Sequence, residues 1–111
     1  MSCIFCQIIK KELPAQIVFE NEEIMAFKDI HPKAKTHLLI IPKEHISSLN
    51  ETKDEKILGN LLWQVKNLAE KLSLDKAGYK IIINTGAGAG QVVFHLHLHL
   101  LSGEELKEFS I

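Results

Sequence analysis

Hydrophobic residues recur along this chain with two different spacings, and the short apolar runs predict strands. Short runs of apolar and β-branched residues are separated by turn-forming segments such as Asn21-Glu22-Glu23 and Ile30-His31-Pro32-Lys33. Pro42 closes the third of these runs. The predicted strands are Ile17–Glu20, Ile24–Phe27, Thr36–Ile41, Tyr79–Asn84 and Val92–Leu101.

Apolar residues at helical spacing predict two helices. The first covers Phe5–Glu12, and the second runs from a cap at Asn50 or Thr52 to about Leu74. An order of helix, three strands, helix and two strands with short connections indicates an α+β domain with a mainly antiparallel sheet. The apolar stripe of the longer helix consists of Ile57, Leu58, Leu61, Leu62, Val65, Leu68, Ala69 and Leu72.

Composition and charge narrow the class of protein. The chain has 111 residues, 46% of them hydrophobic, and we expect one domain over residues 1–111. No apolar run approaches the roughly 20 residues that span a bilayer, and the first residues do not resemble a secretory signal, so we expect a cytoplasmic protein without a membrane partner. A net charge of −1 argues against binding a nucleic-acid polymer. All 13 basic residues are lysine, so a phosphate site must use histidines, lysines and backbone N–H groups.

Three histidines in the fifth predicted strand are the strongest functional signal. His95, His97 and His99 alternate with leucines, and strand side chains alternate between faces, so the imidazoles share one face while the leucines can pack on a helix. Such a row on a rigid strand suits catalysis. A solvent-facing strand and a metal site are the alternatives, since two histidines at i and i+2 can chelate a metal.

A glycine-rich loop, Gly86-Ala87-Gly88-Ala89-Gly90, precedes the histidines. Its backbone N–H groups are accessible to a phosphate oxygen. The loop leads into a strand rather than a helix, which excludes a dinucleotide fingerprint, and no Gly-Lys-Ser/Thr follows as in a P-loop. A flexible hairpin is the alternative, but loop and histidines together favour phosphate chemistry.

The run His95-Leu96-His97-Leu98-His99-Leu100-Leu101 matches the signature of the histidine triad family, in which three histidines alternate with apolar residues. Over nearly the whole chain, further segments resemble the Hint branch of that family. These segments are Ile4-Phe5-Cys6 with Ile8-Ile9 and Pro14, Ala26-Phe27-Lys28-Asp29-Ile30, Thr36-His37-Leu38-Leu39-Ile40-Ile41-Pro42-Lys43, His45-Ile46, Asn84 and Gly90-Gln91.

The resemblance implies a five-stranded antiparallel sheet with two helices, in a homodimer whose sheets join. It also implies hydrolysis of purine nucleoside phosphoramidates, such as an adenylated amine, to a nucleoside monophosphate and an amine. We expect neutral His97 to attack phosphorus while its other ring nitrogen donates to a backbone carbonyl. His99 is expected to stabilise the phosphoryl charge, and His37 to orient the triad that begins with His95.

The resemblance to the histidine triad family also implies which residues contact the substrate. Asp29 would accept hydrogen bonds from the ribose hydroxyls, and Val92 stands where many relatives carry a polar residue, so only its backbone N–H serves the leaving group. Ordinary core packing is the alternative for the apolar residues. The base pocket is expected to contain Phe5, Ile8, Leu13, Phe27, Ile30 and Leu39, and the phosphate side Asn84, Gly90, Gln91 and Val92 beside His97 and His99.

Cys3 and Cys6 form a C-x-x-C pair with the spacing of half a zinc site. His45 and His95 are the candidate remaining ligands, and some members of the family carry this set and bind zinc, so we expect a closed, structural zinc site. Inert thiols and redox chemistry are the alternatives. The redox reading is weaker because a thioredoxin-like C-x-x-C follows a strand.

Three other functions remain open from the sequence. The first is a nucleotide-binding or scaffolding protein with weak catalysis, which the valine at position 92 favours. The second is a hydrolase of dinucleoside polyphosphates, as in another branch of the family. The third is a zinc-hydroxide hydrolase.

Overall fold

One sheet of five antiparallel strands forms the centre of the molecule, in the order β1-β2-β3-β5-β4. The computed structural model describes residues 3–108, with side chains described as far as residue 106. Every neighbouring pair of strands is antiparallel, which confirms the predicted α+β fold. The strands are β1 Ile17–Glu20, β2 Ile24–Lys28, β3 Thr36–Pro42, β4 Lys80–Ile82 and β5 Leu98–Ser102.

The described residues contain three α-helices rather than the two expected. The predicted long helix is interrupted at Ser73, whose backbone adopts a left-handed φ of 61°, so a separate short helix follows. None of the helices in residues 3–108 is both long and apolar enough to cross a bilayer. The helices are α1 Ile4–Ile9, α2 Glu55–Lys71 and α3 Leu74–Ala77, with 3₁₀ helices at Leu49–Glu51, Ala87–Ala89 and Glu104–Glu108.

Each face of the sheet is buried by a different helix. The apolar stripe of α2 packs on one face, where its Ile57, Leu61 and Val65 are buried. The short α1 covers part of the other face with Phe5. Strand β3 is buried on both sides, because Leu38 and Ile40 face α2 while Leu39 and Ile41 face α1. The smaller core beside α1 is the one that borders the histidines.

The fifth strand is shorter than predicted. Val92–Leu101 was expected to be extended and paired, but β5 begins only at Leu98. Residues 91–97 make hydrogen bonds outside the strand ladder; for example, the Leu96 N–H donates to the Ile46 carbonyl at 2.6 Å. The fourth strand is also shorter than predicted, covering Lys80–Ile82 instead of Tyr79–Asn84.

The first helix and the tail after Gly103 both differ from what the sequence predicts. α1 stops at Ile9 instead of Glu12, because Lys11 adopts a left-handed φ of 64° and turns the chain away. The polar tail expected after Gly103 begins with a 3₁₀ helix. Residues 1–2 and 109–111 lie outside the described residues, so a domain over 1–111 stays a prediction.

The N-cap of α2 is Asp54, and neither Asn50 nor Thr52 caps the helix. The Asp54 carboxylate accepts the Lys56 N–H at 2.9 Å, which satisfies one of the free donors of the first turn. Thr52 instead has a buried hydroxyl oxygen without a hydrogen-bond partner among the described residues.

We expect Asp54→Ala to lower the free energy of unfolding by about 1 kcal/mol, since the helix loses its cap. Thr52→Val is the matched comparison and should change stability by less than about 0.5 kcal/mol, because it removes a hydroxyl that has no partner. Urea denaturation of the two variants measures both values. A larger loss from Thr52→Val than from Asp54→Ala would contradict this cap assignment.

Candidate active site

Three histidines lie on one face of the segment that leads into β5. The leucines between them are buried against α2, so the imidazoles point to the side of the sheet that α1 covers. There the Phe5 ring packs edge-on against His97, with ring centroids 5.2 Å apart, and His97 lies 5.0 Å from His99. The predicted alternation is present even though, of the three, only His99 belongs to a paired strand.

His97 has one ring nitrogen engaged and the other free. Its Nδ1 lies 2.7 Å from the carbonyl oxygen of His95, and because a carbonyl only accepts, Nδ1 carries the proton. Nε2 therefore keeps its lone pair. No described residue hydrogen-bonds Nε2, and this atom is not fully buried, so it is accessible. A neutral imidazole held this way is a nucleophile with a fixed direction.

His99, unlike His97, has a proton on the ring nitrogen that faces the cleft. The Lys33 N–H donates to Nδ1 of His37 at 3.1 Å, so Nε2 of His37 carries the proton and donates to Nδ1 of His99 at 2.9 Å. Nε2 of His99 is therefore the protonated nitrogen. Burial lowers the pKa of His37, and burial together with the neighbouring His97 and His37 lowers the pKa of His99 to about 4. His99 is thus a neutral hydrogen-bond donor at pH 7.

Asp29 lies beside this hydrogen-bond chain. Its Oδ2 is 3.4 Å from Nε2 of His37, and its Oδ1 accepts the His31 N–H at 2.9 Å. The Nε2 proton of His37 is donated to His99, so no hydrogen bond joins His37 to Asp29. Asp29, His37 and His99 have the chemistry of metal ligands. A metal on Nε2 of His37 would move the proton to Nδ1, which already accepts the N–H of Lys33, so these hydrogen bonds argue against a metal at the three residues.

A cleft of about 750 Å³ opens beside His97 and His99, with a mostly apolar lining. All six residues predicted for the base pocket line it, and so do Asp29 and three of the four predicted phosphate-side residues. Gln91 is absent from the lining. The lining includes Phe5, Ile8, Leu13, Phe27, Ile30, Leu39, Asp29, Asn84, Gly90, Val92, His97 and His99.

Hydrogen-bond donors without acceptors gather at the histidine end of the cleft. The backbone N–H groups of Val92 and Val93 have no acceptor among the described residues, and neither does the side-chain amide of Asn84. Gly90 has a left-handed φ of 90°, which favours glycine and turns the loop into this end of the cleft. Together with His99, these groups can receive an anion without arginine.

A second cluster lies on the other side of His95 and unites the four predicted metal ligands. Nδ1 of His95 is 3.4 Å from Sγ of Cys3, 3.6 Å from Sγ of Cys6 and 3.2 Å from Nδ1 of His45. Cys6 Sγ and His45 Nδ1 are 3.4 Å apart. Nε2 of His95 donates to the Pro42 carbonyl at 2.8 Å, which leaves Nδ1 unprotonated in the neutral ring.

These separations match a tetrahedral metal site. Zinc bonds of about 2.3 Å to sulfur and about 2.0 Å to nitrogen place sulfur and nitrogen about 3.5 Å apart, and two nitrogens about 3.3 Å apart. The four ligand atoms of the cluster all lie within 4.8 Å of one another. Two thiols and two imidazoles are a donor set that zinc prefers. The residues present therefore fit zinc, with no position left open for a substrate.

The fold and the histidine geometry agree with comparisons to known proteins. The HIT domain family matches residues 10–106 of the chain. The chain belongs to the HIT family.

Its relatives cover almost the same length. Protein HitA of Neisseria gonorrhoeae is 48% identical over 102 residues, which is 90% of this chain and 94% of that protein. The crystal structure of a HIT family hydrolase from Legionella pneumophila Philadelphia 1 is 48% identical, with a TM-score of 0.89, over 93% of this chain and 94% of that one. A histidine triad nucleotide-binding protein from Candida albicans is 42% identical, with a TM-score of 0.84, over 89% and 73% of the two chains.

Within this HIT fold, Gln91 supports the site instead of lining it. Its buried side chain accepts the Gly86 N–H at 2.8 Å, and its amide nitrogen donates to the carbonyls of Ser47 at 2.8 Å and Val93 at 3.1 Å. Sequence reasoning missed this role, and the only available signal was a glutamine placed directly after a glycine loop. Val92 is 85% exposed at the mouth of the cleft.

We expect nuclear magnetic resonance of ring nitrogens at neutral pH to find His97 protonated on Nδ1, and His37 and His99 protonated on Nε2. His99 should stay neutral until the pH approaches about 4, whereas unfolded histidine titrates near 6.5. The folded protein then binds fewer protons between these values, so stability should fall as the pH is lowered through this window. Titration of His99 near pH 6.5 would contradict the hydrogen-bond chain.

Proposed function

We propose that this HIT protein hydrolyses purine nucleoside phosphoramidates to a nucleoside monophosphate and an amine, through a nucleotidyl-His97 intermediate. The observation that carries the proposal is the hydrogen bond from Nδ1 of His97 to the His95 carbonyl. It leaves the lone pair of Nε2 accessible beside a cleft with one apolar end and one donor-rich end. A nucleotide likewise has an apolar base at one end and an anionic phosphate, which accepts hydrogen bonds, at the other.

The apolar end of the cleft suits a purine. Phe5 and Phe27 form an edge-on pair with ring centroids 5.5 Å apart, and Leu39 packs in the same core. Aromatic and aliphatic walls of this kind bind flat, apolar rings. Asp29, at the junction with the histidine end, offers a partly exposed carboxylate that can accept two hydrogen bonds from a ribose diol.

In the first step, the Nε2 lone pair of His97 forms a bond to phosphorus. The phosphorus–nitrogen bond of the substrate breaks, and the amine takes up a proton from solvent water as it departs. Negative charge on the phosphoryl oxygens is stabilised by the protonated Nε2 of His99 and by the N–H groups of Val92 and Val93. These donors are fixed before the substrate arrives, so little reorganisation is needed during the reaction.

In the second step, water attacks phosphorus and the bond to His97 breaks. The nucleoside monophosphate is released, and the imidazole returns to its neutral form with the proton on Nδ1. Covalent catalysis of this kind replaces one difficult displacement with two easier ones. The names of two relatives, a HIT family hydrolase and a histidine triad nucleotide-binding protein, support hydrolysis and nucleotide binding.

We expect His97→Ala to lower kcat/KM for an adenosine phosphoramidate by about 1000-fold or more, because the nucleophile is lost. Binding of adenosine monophosphate should change by less than about tenfold, since the base pocket stays intact. Steady-state kinetics and titration calorimetry measure the two quantities. Near-wild-type turnover by the variant would exclude His97 as the nucleophile.

Parallel assays of the wild-type protein separate this activity from its alternatives. Faster cleavage of a diadenosine polyphosphate than of an adenylated amine would indicate a polyphosphate hydrolase. Nucleotide binding with negligible turnover of both substrates would indicate a binding protein instead.

We propose further that Cys3, Cys6, His45 and His95 hold a structural zinc ion. The ligand atoms already have the separations of a tetrahedral site, and the neutral imidazole of His95, whose pKa burial lowers, directs an unprotonated nitrogen into the cluster. When bound, zinc would join α1 to the segment before β5, with no role in bond breaking.

Protein purified without chelator should contain about one zinc per chain, and removing the zinc should lower the melting temperature. The Cys3→Ser/Cys6→Ser double variant is the matched control, because its melting temperature should not respond to chelator. Metal analysis and thermal melts provide the measurements. Less than about a tenth of an equivalent of zinc would count against the site.

We also propose that two copies associate through the free edge of β4. Ile81 and Ile82 on this edge are 39% and 40% exposed, and an unpaired strand edge can pair with a second copy. This arrangement would join two sheets into one.

A further inference from the structure

The segment that carries the nucleophile is held mainly by contacts outside the sheet. Residues 91–97 precede the first paired residue of β5, and they lie against residues 42–47, which comprise the last residue of β3 and the five residues after it. The described links between the two segments are His95 Nε2 to the Pro42 carbonyl at 2.8 Å, the Leu96 N–H to the Ile46 carbonyl at 2.6 Å, Gln91 Nε2 to the Ser47 carbonyl at 2.8 Å, and the ring contact between His45 and His95.

His95 belongs to both sites. Its ring nitrogen Nδ1 points at the two thiols and at His45, while its backbone carbonyl accepts the proton of His97 Nδ1. Any rotation of the His95 peptide would therefore change the hydrogen bond that fixes the tautomer of the nucleophile. A metal–ligand bond at the His95 ring would oppose such a rotation.

Phe5 provides a second connection between the sites. It lies between Cys3 and Cys6 on α1, its ring is edge-on to His97 at an interplanar angle of 89°, and it lines the cleft. α1 has only six residues, which is far below the length at which an isolated helix is stable. Its position therefore depends on the packing of Phe5 against the sheet and on what its ends are attached to, and both cysteines face the metal cluster.

We propose that the cluster of Cys3, Cys6, His45 and His95 is a positioning site for the nucleophile, with His95 and Phe5 as the positioning residues. Zinc in this cluster would fix the His95 carbonyl and the Phe5 ring, and these would hold His97 with its Nε2 directed at phosphorus. Loss of the metal would then impair the chemical step while the sheet stays folded. The inference deepens the proposed hydrolase function and rests on it for its kinetic part.

The contacts that remain without metal are weak. The four ligand atoms then make nitrogen–sulfur and nitrogen–nitrogen approaches of 3.2 to 3.6 Å, besides the Cys6 N–H that donates to Cys3 Sγ at 3.4 Å, and sulfur is a poor hydrogen-bond partner. His45 is an exposed residue whose ring is otherwise held by its contact with the His95 ring, so a metal would add the strongest restraint on it. Misplacing a reacting group by about 1 Å can cost about 100-fold in rate.

The test compares the full-length wild-type protein before chelation, after chelation and after zinc is restored, with Cys6→Ser as a second route to the metal-free state. Leu74→Ala, which removes part of a buried side chain on α3, controls for general destabilisation. Each sample is measured for zinc content, for the ring-nitrogen signals of His97, for adenosine monophosphate affinity, and for kcat and KM on an adenosine phosphoramidate.

Without zinc, we expect the His97 signals to report a mixture of tautomers and kcat to fall by about tenfold to 100-fold, with a smaller change in KM. Restoring zinc should reverse both effects in the wild-type protein, and Leu74→Ala should show neither. If Cys6→Ser does not fold, the chelated wild-type protein decides the question.

Two results would overturn the inference. One is an unchanged His97 tautomer in protein shown to have lost its zinc, and the other is an absence of zinc from the purified protein. Failure of the wild-type protein to cleave phosphoramidates would instead refute the proposed activity. In that case the tautomer measurement would still decide whether the cluster positions His97.

Discussion

The hydrogen bond between His97 Nδ1 and the His95 carbonyl determines the character of the whole site. An imidazole has two nitrogens and one proton in its neutral form, and the position of that proton decides which nitrogen can attack. A backbone carbonyl cannot donate, so it fixes the proton on Nδ1. In the proposed reaction, the geometry of the cleft, the packing of Phe5 and the anchoring of His95 on Pro42 contribute only while this bond is kept.

Neighbouring histidines on one face acquire opposite roles through their partners. His97 meets a carbonyl and keeps a lone pair on its free nitrogen, whereas His99 accepts from His37 and keeps a proton there. His95 turns its Nε2 to the Pro42 carbonyl and leaves Nδ1 for the thiols. One repeated residue type therefore supplies the proposed nucleophile, a hydrogen-bond donor and a candidate metal ligand. The differences come from the acceptor or donor that each ring finds.

Sequence patterns predicted the sheet well because β2, β3 and β5 contain short apolar runs with clear breaks. They misplaced the start of β5, because residues 92–97 alternate in side-chain direction whether or not the backbone is paired, and the true partners follow β3. The cap of α2 was missed because Asn50, Thr52 and Asp54 are all good capping types. Only the final geometry shows which of them reaches a free N–H.

The site was predictable as far as a motif names residues: every predicted substrate position except Gln91 lines the cleft, and the four predicted metal ligands lie together. A sequence motif does not reveal hydrogen-bond partners that belong to the backbone. The Lys33 N–H sets the tautomer of His37, and the carbonyls of Ser47 and Val93 hold Gln91. Any residue type except proline could supply the same N–H, and any residue at all the same carbonyls, so these contacts depend on how the loops close.

Leu39 and His99 are directly opposite each other on β3 and β5. Both side chains line the same cleft, so an apolar wall and a hydrogen-bond donor lie side by side at a cross-strand spacing of about 5 Å. Backbone ladders scarcely stretch, so the sheet itself fixes this spacing. The apolar wall and the donor therefore stay in register whatever conformation the loops around the cleft adopt.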